Sequence, residues 1–310
     1  MSLDQRLSYR HVDVFSDKPF SGNGLTVFVV EKELATEAMQ QITQEMRQFE
    51  SIFLFPTTEP QTFLARVFTM EEELDFAGHP VLGAASVLHE KFSYAESAEW
   101  TFELNAKTVS VRTTKKGISF KATMQQGKPE FGPVVSSEQR QAFLRALNLS
   151  ETDWDERLPL EIVSTGLPYL IVPVKDNLGR AKISASNFEK MLADVDAKFV
   201  YVFQASTMEG RTWDNDGRVE DVATGSAAGP MGAYLVRHKV AGPETEIVIN
   251  QGSFLDRPSK IIVKVGGTQE EITSVEVGGD VCLMASGSFD EDAVAGLVEG
   301  LTLKASARCN

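Results

Sequence analysis

Residues 76–85 read FAGHPVLGAA, and residues 220–228 read EDVATGSAA. Each stretch places a glycine beside a polar side chain and then continues into small residues that are typical of a helix. The N-terminus of a helix carries unpaired N–H groups and a partial positive charge, and it therefore favours an anion. One such stretch lies in each half of the chain. We therefore expect two helix starts that hold a carboxylate substrate between acid–base side chains.

Length and composition limit the classes of protein to which this chain can belong. The 310 residues are enough for two domains with sizeable cores. The net charge of −14 argues against a nucleic-acid surface, which needs a basic patch. No apolar run reaches the length of a membrane span, and the N-terminus has no secretory signal pattern. We expect a cytoplasmic protein that binds neither membrane nor nucleic acid.

The sequence contains no recognisable pattern for a metal or a cofactor. Cys282 and Cys309 form no C-x-x-C pair, and the four histidines form no H-x-x-x-H pattern. No glycine-rich nucleotide motif, P-loop or G-x-S-x-G motif is present. We therefore expect an enzyme without a metal or an organic cofactor.

Short β-type runs dominate the chain, and helices are few. The apolar stripe Met39, Ile42, Met46 and Phe49 predicts a helix capped by Thr36, and Ser136 with Gln139 predicts a capping box. Two further helices, at about 80–89 and 227–236, are apolar all round, which is typical of a buried helix.

One buried helix in each half predicts an α+β fold with two similar lobes, each a curved, mostly antiparallel sheet around a central helix. The strands and helices do not alternate as a parallel doubly wound sheet requires. We place the N-terminal lobe at 1–127, the C-terminal lobe at 128–287, and a tail that packs on the lobes at 288–310.

These motifs, in this order, resemble the phenazine biosynthesis PhzF-like family, whose fold is that of diaminopimelate epimerase. The resemblance runs from about Tyr9 to about Ser288, and its other pieces are 13–15, 19–23, 45–51, 66–69, 164–166 and 251–252. The family implies two pseudo-symmetric lobes with a cleft between them, no organic cofactor and, often, a homodimer. Its characterised type is an isomerase that moves a proton between carbons of a cyclic diene amino acid.

The resemblance also implies roles for individual residues. Glu50 matches the family's acid–base glutamate, His79 its cleft histidine, and Asp221 and Ser226 its aspartate and serine. Gly78 and Gly225 match the backbone donors to the substrate anion. We also expect Asn23 and Thr224 to contact the substrate; turn chemistry explains Asn23 equally well, and capping explains Asp221 and Ser226. Arg66 is a further candidate for the cleft, although a surface charge explains it as well.

The chemistry of a proton shift favours these residue types independently of the resemblance. One group must act first as base and then as acid, with a pKa near the working pH, and a half-buried carboxylate meets that need. Relatives that racemise amino acids use two cysteines. Here Glu50 stands at the first thiol position, and neither Cys282 nor Cys309 lies in a motif.

Several positions depart from the family pattern. The family commonly has Asn-Leu-Ser before the glutamate, where this chain has Arg47-Gln48-Phe49, and proline at the positions of Gly24, Asp75 and Val222. These differences leave the substrate open. The alternatives are an epimerase or another proton-transfer enzyme on the same scaffold, and a non-catalytic protein that binds a small ligand.

Overall fold

The computed structural model describes residues 7–31, 34–290 and 293. Contacts between residues divide the chain into two compact units. Unit 1 holds the described residues up to Ala122 and from Asp280 onward, and unit 2 is Thr123–Gly279. The chain thus enters unit 2 once and returns to unit 1 before it ends.

Most of the tail predicted at 288–310 lies outside the described residues. Its first part belongs to unit 1, where the ring of Phe289 stacks near Tyr9 and Phe28, with ring centroids 6.0 and 6.3 Å away. The backbone N–H of Phe289 also donates to the carbonyl of Leu7.

Strands outnumber helices in unit 1. They are β1 (Ser8–Val14), β2 (Asn23–Val29), β3 (Glu50–Pro56), β4 (Thr62–Thr69), β5 (Glu73–Leu74), β6 (Ser97–Glu103) and β7 (Thr108–Lys116), with the first part of β8 (Ser119–Gly127) and the last part of β16 (Ile272–Ser288). The pairs β2–β3 and β4–β6 are parallel, whereas β1–β2, β3–β4 and β6–β7 are antiparallel. Helices α1 (Thr36–Met46) and α2 (Gly78–Phe92) lie between the strands in sequence.

Strands also outnumber helices in unit 2. Its strands are β9 (Glu130–Val134), β10 (Glu161–Ser164), β11 (Pro168–Val174), β12 (Phe199–Gln204), β13 (Glu209–Arg211), β14 (Glu246–Gln251) and β15 (Ser259–Gly267), with the remaining parts of β8 and β16. The pairs β11–β12 and β13–β14 are parallel, and the other pairs from β9 to β16 are antiparallel. Its helices are α3 (Ser137–Ala146), α4 (Phe188–Ala193) and α5 (Gly225–Arg237).

The two apolar helices predicted from the sequence form as α2 and α5, and each packs closely on strands of its own unit. A Cβ atom at Gly83 of α2 would lie 2.6 Å from Leu25 Cδ2, and one at Gly232 of α5 would lie 2.4 Å from Val263 Cγ1. Real Cβ atoms do not approach so closely, so a glycine at each position lets the helix backbone reach the sheet. The chain is therefore sheet-dominated with few helices, which confirms the predicted α+β class.

Capping signals in the sequence located the start of α3 correctly and the start of α1 to within one residue. Ser136 caps α3 and forms the predicted capping box with Gln139. The predicted cap at Thr36 is wrong by one residue, because Ala35 occupies the cap position and Thr36 is the first helical residue. The stripe of α1 packs as predicted: Met39 and Ile42 belong to the buried cluster that also contains Phe28, Phe53 and Phe68.

Candidate active site

Glu50 is the first residue of β3 and lies between two neighbouring strands. It is paired with Leu25 of β2 and with Thr69, the last residue of β4. The chain reaches it from α1 through Arg47, which adopts the left-handed conformation and ends the helix. Only 6% of Glu50 is exposed to solvent. The fold therefore holds a carboxyl group at the start of β3 and beside the end of β4, largely out of water.

His79 lies beside this carboxyl group. It is the second residue of α2, it is 5% exposed, and its Nδ1 is 3.4 Å from Glu50 Oε2. Burial lowers the pKa of His79 from its usual value of 6.5 to about 3, because the charged imidazolium would lose its hydration. The ring is consequently neutral at physiological pH.

The other nitrogen of this ring, Nε2, differs from Nδ1 in its surroundings. His79 Nε2 is buried and has no hydrogen-bond partner among the described residues. Buried polar atoms are nearly always hydrogen-bonded in native proteins, and an exception asks for an explanation. Nε2 is therefore a candidate for a contact with a ligand.

The start of α2 adds a partial positive charge at the same place. Ala77, at its cap position, makes no side-chain capping bond, and Gly78 is the first helical residue. The first N–H groups of a helix have no partner within it, and Pro80 in this first turn has no N–H to leave unsatisfied. The N–H groups of Gly78 and His79 are therefore among those that lack a partner within the helix.

Two other predicted residues of unit 1 have structural contacts of their own. Asn23 begins β2, is buried and pairs with Val14. Arg66 binds Glu73 with two of its nitrogens and also donates to Thr36. The half-buried carboxylate of Glu73 is thus held by Arg66, whose guanidinium lowers the pKa of Glu73.

In unit 2, Asp221 and Thr224 belong to one hydrogen-bond network. The Thr224 hydroxyl donates to Asp221 Oδ2. Gln251, from the end of β14, donates from Nε2 to the Asp221 carbonyl (2.9 Å) and to Thr224 Oγ1 (3.0 Å), and its Oε1 accepts from the Thr224 N–H (3.2 Å). Tyr201 donates to the same Oε1, and burial raises the pKa of this phenol well above 10, so it keeps its proton. The loop that leads into α5 is therefore held in one conformation.

Ser226 is the second residue of α5, so it occupies the position in unit 2 that His79 has in α2. Its hydroxyl lies 2.8 Å from the hydroxyl of Tyr169, which is almost fully buried. The carbonyl of Gly225 accepts a hydrogen bond from Gln126. Neither Asp221 nor Ser226 caps the helix, because Thr224 occupies the cap position.

The structure adds two residues to those that the sequence predicted. Gln251 belongs to a motif of the resemblance (251–252) but had no assigned role, and no motif marked Tyr169. Both act through partners 27 to 57 positions away in the sequence, which periodicity does not reveal. Within the part of the chain that the structure describes, no cluster of three or more His, Cys, Asp or Glu residues is arranged to hold a metal ion. No helix formed by those residues is long and apolar enough to cross a membrane.

Comparison with known proteins places this geometry in a family. The profile of the family described as "Phenazine biosynthesis-like protein" (PhzC-PhzF) matches residues 12–287. The trans-2,3-dihydro-3-hydroxyanthranilate isomerase of Pseudomonas fluorescens is 31% identical over 299 residues, which cover 91% of this chain and 99% of that protein. The chain therefore belongs to this family, and the family predicted from the sequence is confirmed.

Two solved structures extend the comparison. A predicted epimerase from Pseudomonas aeruginosa is 46% identical, with a TM-score of 0.86 over 91% of this chain and 99% of that chain. A PhzF-family phenazine biosynthesis protein from Bacillus anthracis is 25% identical, with a TM-score of 0.80 over 92% of this chain and 99% of that chain. The chain thus matches both proteins over nearly their whole length.

Proposed function

We propose that this member of the phenazine biosynthesis-like family is a cofactor-independent isomerase, in which Glu50 moves a proton between two carbons of a small carboxylated substrate. The observation that carries the proposal is the buried pair of Glu50 and His79, whose Oε2 and Nδ1 atoms are 3.4 Å apart. The relative from Pseudomonas fluorescens is named as an isomerase, which supports the same class of reaction.

Glu50 has the properties that a proton shuttle needs. A carboxylate takes the proton from carbon in the first step and, as a carboxylic acid, returns it to another carbon in the second. Removal from water makes such a group a stronger base and raises its interaction with nearby dipoles. The pairing of Glu50 with strands on both sides fixes its backbone, so little reorganisation is needed during the reaction.

His79 is proposed to orient the substrate and to assist the proton transfer. Because its ring is neutral, one nitrogen accepts a hydrogen bond and the other donates one. When Nδ1–H donates to the Glu50 carboxylate, Nε2 is an acceptor for the substrate. Glu50 can take up the substrate proton on its other carboxyl oxygen and return it to carbon while His79 keeps this tautomer.

The start of α5 is proposed to bind the substrate carboxylate. Its first N–H groups, on Gly225 and Ser226, together with the Ser226 hydroxyl, offer donors to an anion. Asp221 and Thr224 are proposed to shape this helix start through their bond to Gln251. Whether this group and the Glu50–His79 pair act on the same substrate stays a prediction, as does the contact expected for Asn23.

The finer predictions of fold and assembly are part of the proposal. They are two pseudo-symmetric lobes of the diaminopimelate epimerase-like type, each wrapped around a central helix, with the lobes and tail bounded as predicted. The occurrence of one apolar helix start in each unit, at Gly78 and at Gly225, supports them. A homodimer and a cytoplasmic location remain predictions.

Steady-state kinetics of charge-removing variants test the proposal. With trans-2,3-dihydro-3-hydroxyanthranilate and related cyclic dienoic acids as substrates, Glu50→Gln is expected to lower kcat by roughly 100- to 10,000-fold, the usual contribution of a general acid–base group. Glu72→Gln, which removes an exposed carboxylate of the same unit, serves as the matched control and should leave kcat unchanged. Full turnover by Glu50→Gln on any substrate that the wild type converts would refute the proposal.

A second candidate function is an epimerase. The solved structure from Pseudomonas aeruginosa, 46% identical to this chain, is named a predicted epimerase, and this match favours the alternative. Epimerisation inverts a stereocentre without moving a double bond, so chiral chromatography of the product distinguishes the two reactions. A protein that only binds its ligand would raise its melting temperature with that ligand and form no product.

A further inference from the structure

Two buried side chains form a bridge onto the first residue of α5, and the proposed function has not used it. Gln126, near the end of β8, is buried and donates from Nε2 to the carbonyl of Gly225 (2.9 Å). Its Oε1 accepts a hydrogen bond from the hydroxyl of Thr165 (2.7 Å), which belongs to the motif at 164–166. All three residues lie in unit 2. The bridge therefore connects a motif without an assigned role to the start of α5.

The chemistry of the two partners fixes the orientation of the Gln126 amide. A backbone carbonyl only accepts hydrogen bonds, so the amide nitrogen of Gln126 must face Gly225. The amide oxygen then faces Thr165, whose hydroxyl donates to it. Thr165 thus holds the amide in the one orientation that binds the Gly225 carbonyl.

The surface of α5 leaves space for this amide. Gly229 lies about one turn after Gly225, on the same face of the helix. A Cβ atom at Gly229 would overlap Gln126 Oε1 and would lie 3.1 Å from Thr165 Oγ1. A glycine at position 229 therefore lets the Gln126 side chain reach the helix backbone.

The first turn of α5 has little stability of its own. It begins at Gly225, and glycine loses more conformational entropy in a helix than any other residue. Its cap residue, Thr224, makes no side-chain capping bond. The peptide group between Gly225 and Ser226 is planar and trans, so its C=O and its N–H point in opposite directions. Because Gln126 holds the C=O of this group, it also fixes the direction of the Ser226 N–H.

We propose that Gln126 and Thr165 are positioning residues of the substrate site at the start of α5, and that they direct the Ser226 N–H toward the substrate carboxylate. This inference rests on the proposed function, which assigns that carboxylate to the first N–H groups of α5. A donor that is already oriented loses little conformational entropy when the anion binds, so the bridge raises the affinity for the anion. The proton transfer, which is assigned to Glu50, does not depend on the bridge.

Matched variants of the bridge test the inference. Gln126→Met keeps a side chain of similar size and removes both hydrogen bonds, whereas Thr165→Val removes only the hydroxyl. Thr165→Ser keeps the hydroxyl and is the conservative rescue. Gln125→Met is the control, because Gln125 is the neighbouring glutamine of β8, is exposed and donates instead to Glu276 (2.6 Å). Urea unfolding of each variant shows that it is folded under the conditions of the assay.

The probes are benzoate, which is a ring with one carboxylate, and benzamide, which is the same ring without the charge. The readout is the dissociation constant from an NMR titration that follows the backbone amide resonance of Ser226. We expect benzoate to shift this resonance in the wild type. Gln126→Met should weaken benzoate binding by roughly 10-fold and Thr165→Val by roughly 3-fold, the usual effect of one net hydrogen bond. Thr165→Ser should restore the affinity, and Gln125→Met should change nothing.

Two results of this titration would overturn the inference. The first is unchanged benzoate binding in both Gln126→Met and Thr165→Val. The second is an equal loss of affinity for benzoate and benzamide, which would show that the bridge has only a structural role. If Gln126→Met does not fold, the comparison of Thr165→Val with Thr165→Ser decides in the same way.

Turnover separates failure of this inference from failure of the proposed function. With a substrate that the wild type converts, Gln126→Met should raise KM by roughly 10-fold with kcat little changed, and a fall in kcat at constant KM would overturn the inference. Benzoate binding that depends on Gln126, without turnover that depends on Glu50, would support the positioning role and refute the isomerase. Turnover that depends on Glu50, without any effect of benzoate on the Ser226 resonance of the wild type, would refute the inference and leave the proton transfer standing. Absence of both effects would refute both.

Discussion

The starts of α2 and α5 are built from similar sequences, but their surroundings differ. At α2, the second residue is His79, whose Nε2 has no partner among the described residues and whose Nδ1 is 3.4 Å from the Glu50 carboxyl group. At α5, the second residue is Ser226, whose hydroxyl already lies 2.8 Å from that of Tyr169, and the preceding loop is fixed by Gln251. The first helix start offers a buried acid–base pair, and the second offers a rigid set of donors. The comparison supports the proposal that α2 serves the proton transfer and α5 serves binding.

The largest effect is expected at the start of α2. His79→Asn keeps a polar side chain but removes the imidazole beside Glu50, and it should lower kcat by roughly 100-fold with a smaller change in KM. Steady-state kinetics measure the split between the two constants. If instead KM rose and kcat stayed constant, His79 would be a binding residue, and the contrast with Ser226 would disappear.

The second-largest effect is expected on the stability of the fold, at the loop before α5. Gln251→Leu removes the four hydrogen bonds to Asp221, Thr224 and Tyr201. Because buried polar groups lose their partners, the free energy of unfolding should fall by about 1–3 kcal/mol, as measured by urea denaturation. Val248→Thr, on the exposed side of the same strand, is the control. Unchanged stability in Gln251→Leu would mean that the loop is not held by this network.

The pH dependence of stability tests the buried, neutral state of His79. Its pKa is lowered to about 3 in the folded state, against 6.5 ordinarily. The folded protein therefore binds fewer protons than the unfolded chain between these values, so its stability is full above pH 6.5 and falls as the pH decreases. One such group changes the free energy of unfolding by up to about 1.4 kcal/mol per pH unit.

We therefore expect the wild type to lose more stability between pH 7 and pH 5 than His79→Asn does, as determined from urea unfolding curves at both pH values. Identical pH profiles for the two proteins would show that His79 is not a buried neutral imidazole. In that case its Nε2 would not be available in the form that the proposed mechanism requires.

The smallest effect is expected at the start of α5. Ser226→Ala removes one donor to the proposed substrate carboxylate and should raise KM by roughly 3- to 10-fold, the effect of one net hydrogen bond, with kcat nearly unchanged. Tyr169→Phe is the control, because it breaks the Tyr169–Ser226 hydrogen bond but leaves the Ser226 hydroxyl in place. An effect seen only in Ser226→Ala is then due to the lost contact with the substrate. A fall in kcat as large as that of His79→Asn would give both helix starts the same role.

The sequence was most informative where structure depends on near neighbours. The start of α2 and α5 at glycine and the capping box of Ser136 and Gln139 follow from local patterns. Motif resemblance then identified Glu50 and His79, and the structure brings their side chains together.

The sequence was least informative where structure depends on distant partners. The formation of strands β6 (Ser97–Glu103) and β16 (Ile272–Ser288) depends on pairing with remote strands, which local patterns do not reveal. Gln251 carries no signal in the sequence beyond its motif. Its proposed role depends on a hydrogen-bond network with Asp221, Thr224 and Tyr201, which only coordinates reveal.

The central claim is that Glu50 exchanges a proton with carbon, and proton NMR in D₂O measures this directly. Wild-type protein and Glu50→Gln would be incubated with cyclic dienoic acids, including trans-2,3-dihydro-3-hydroxyanthranilate, and with small amino acids. The account predicts C–H to C–D exchange with the wild type on at least one of these compounds and its loss in Glu50→Gln. Exchange that proceeds equally in both proteins, or no exchange by the wild type on any compound, would contradict it.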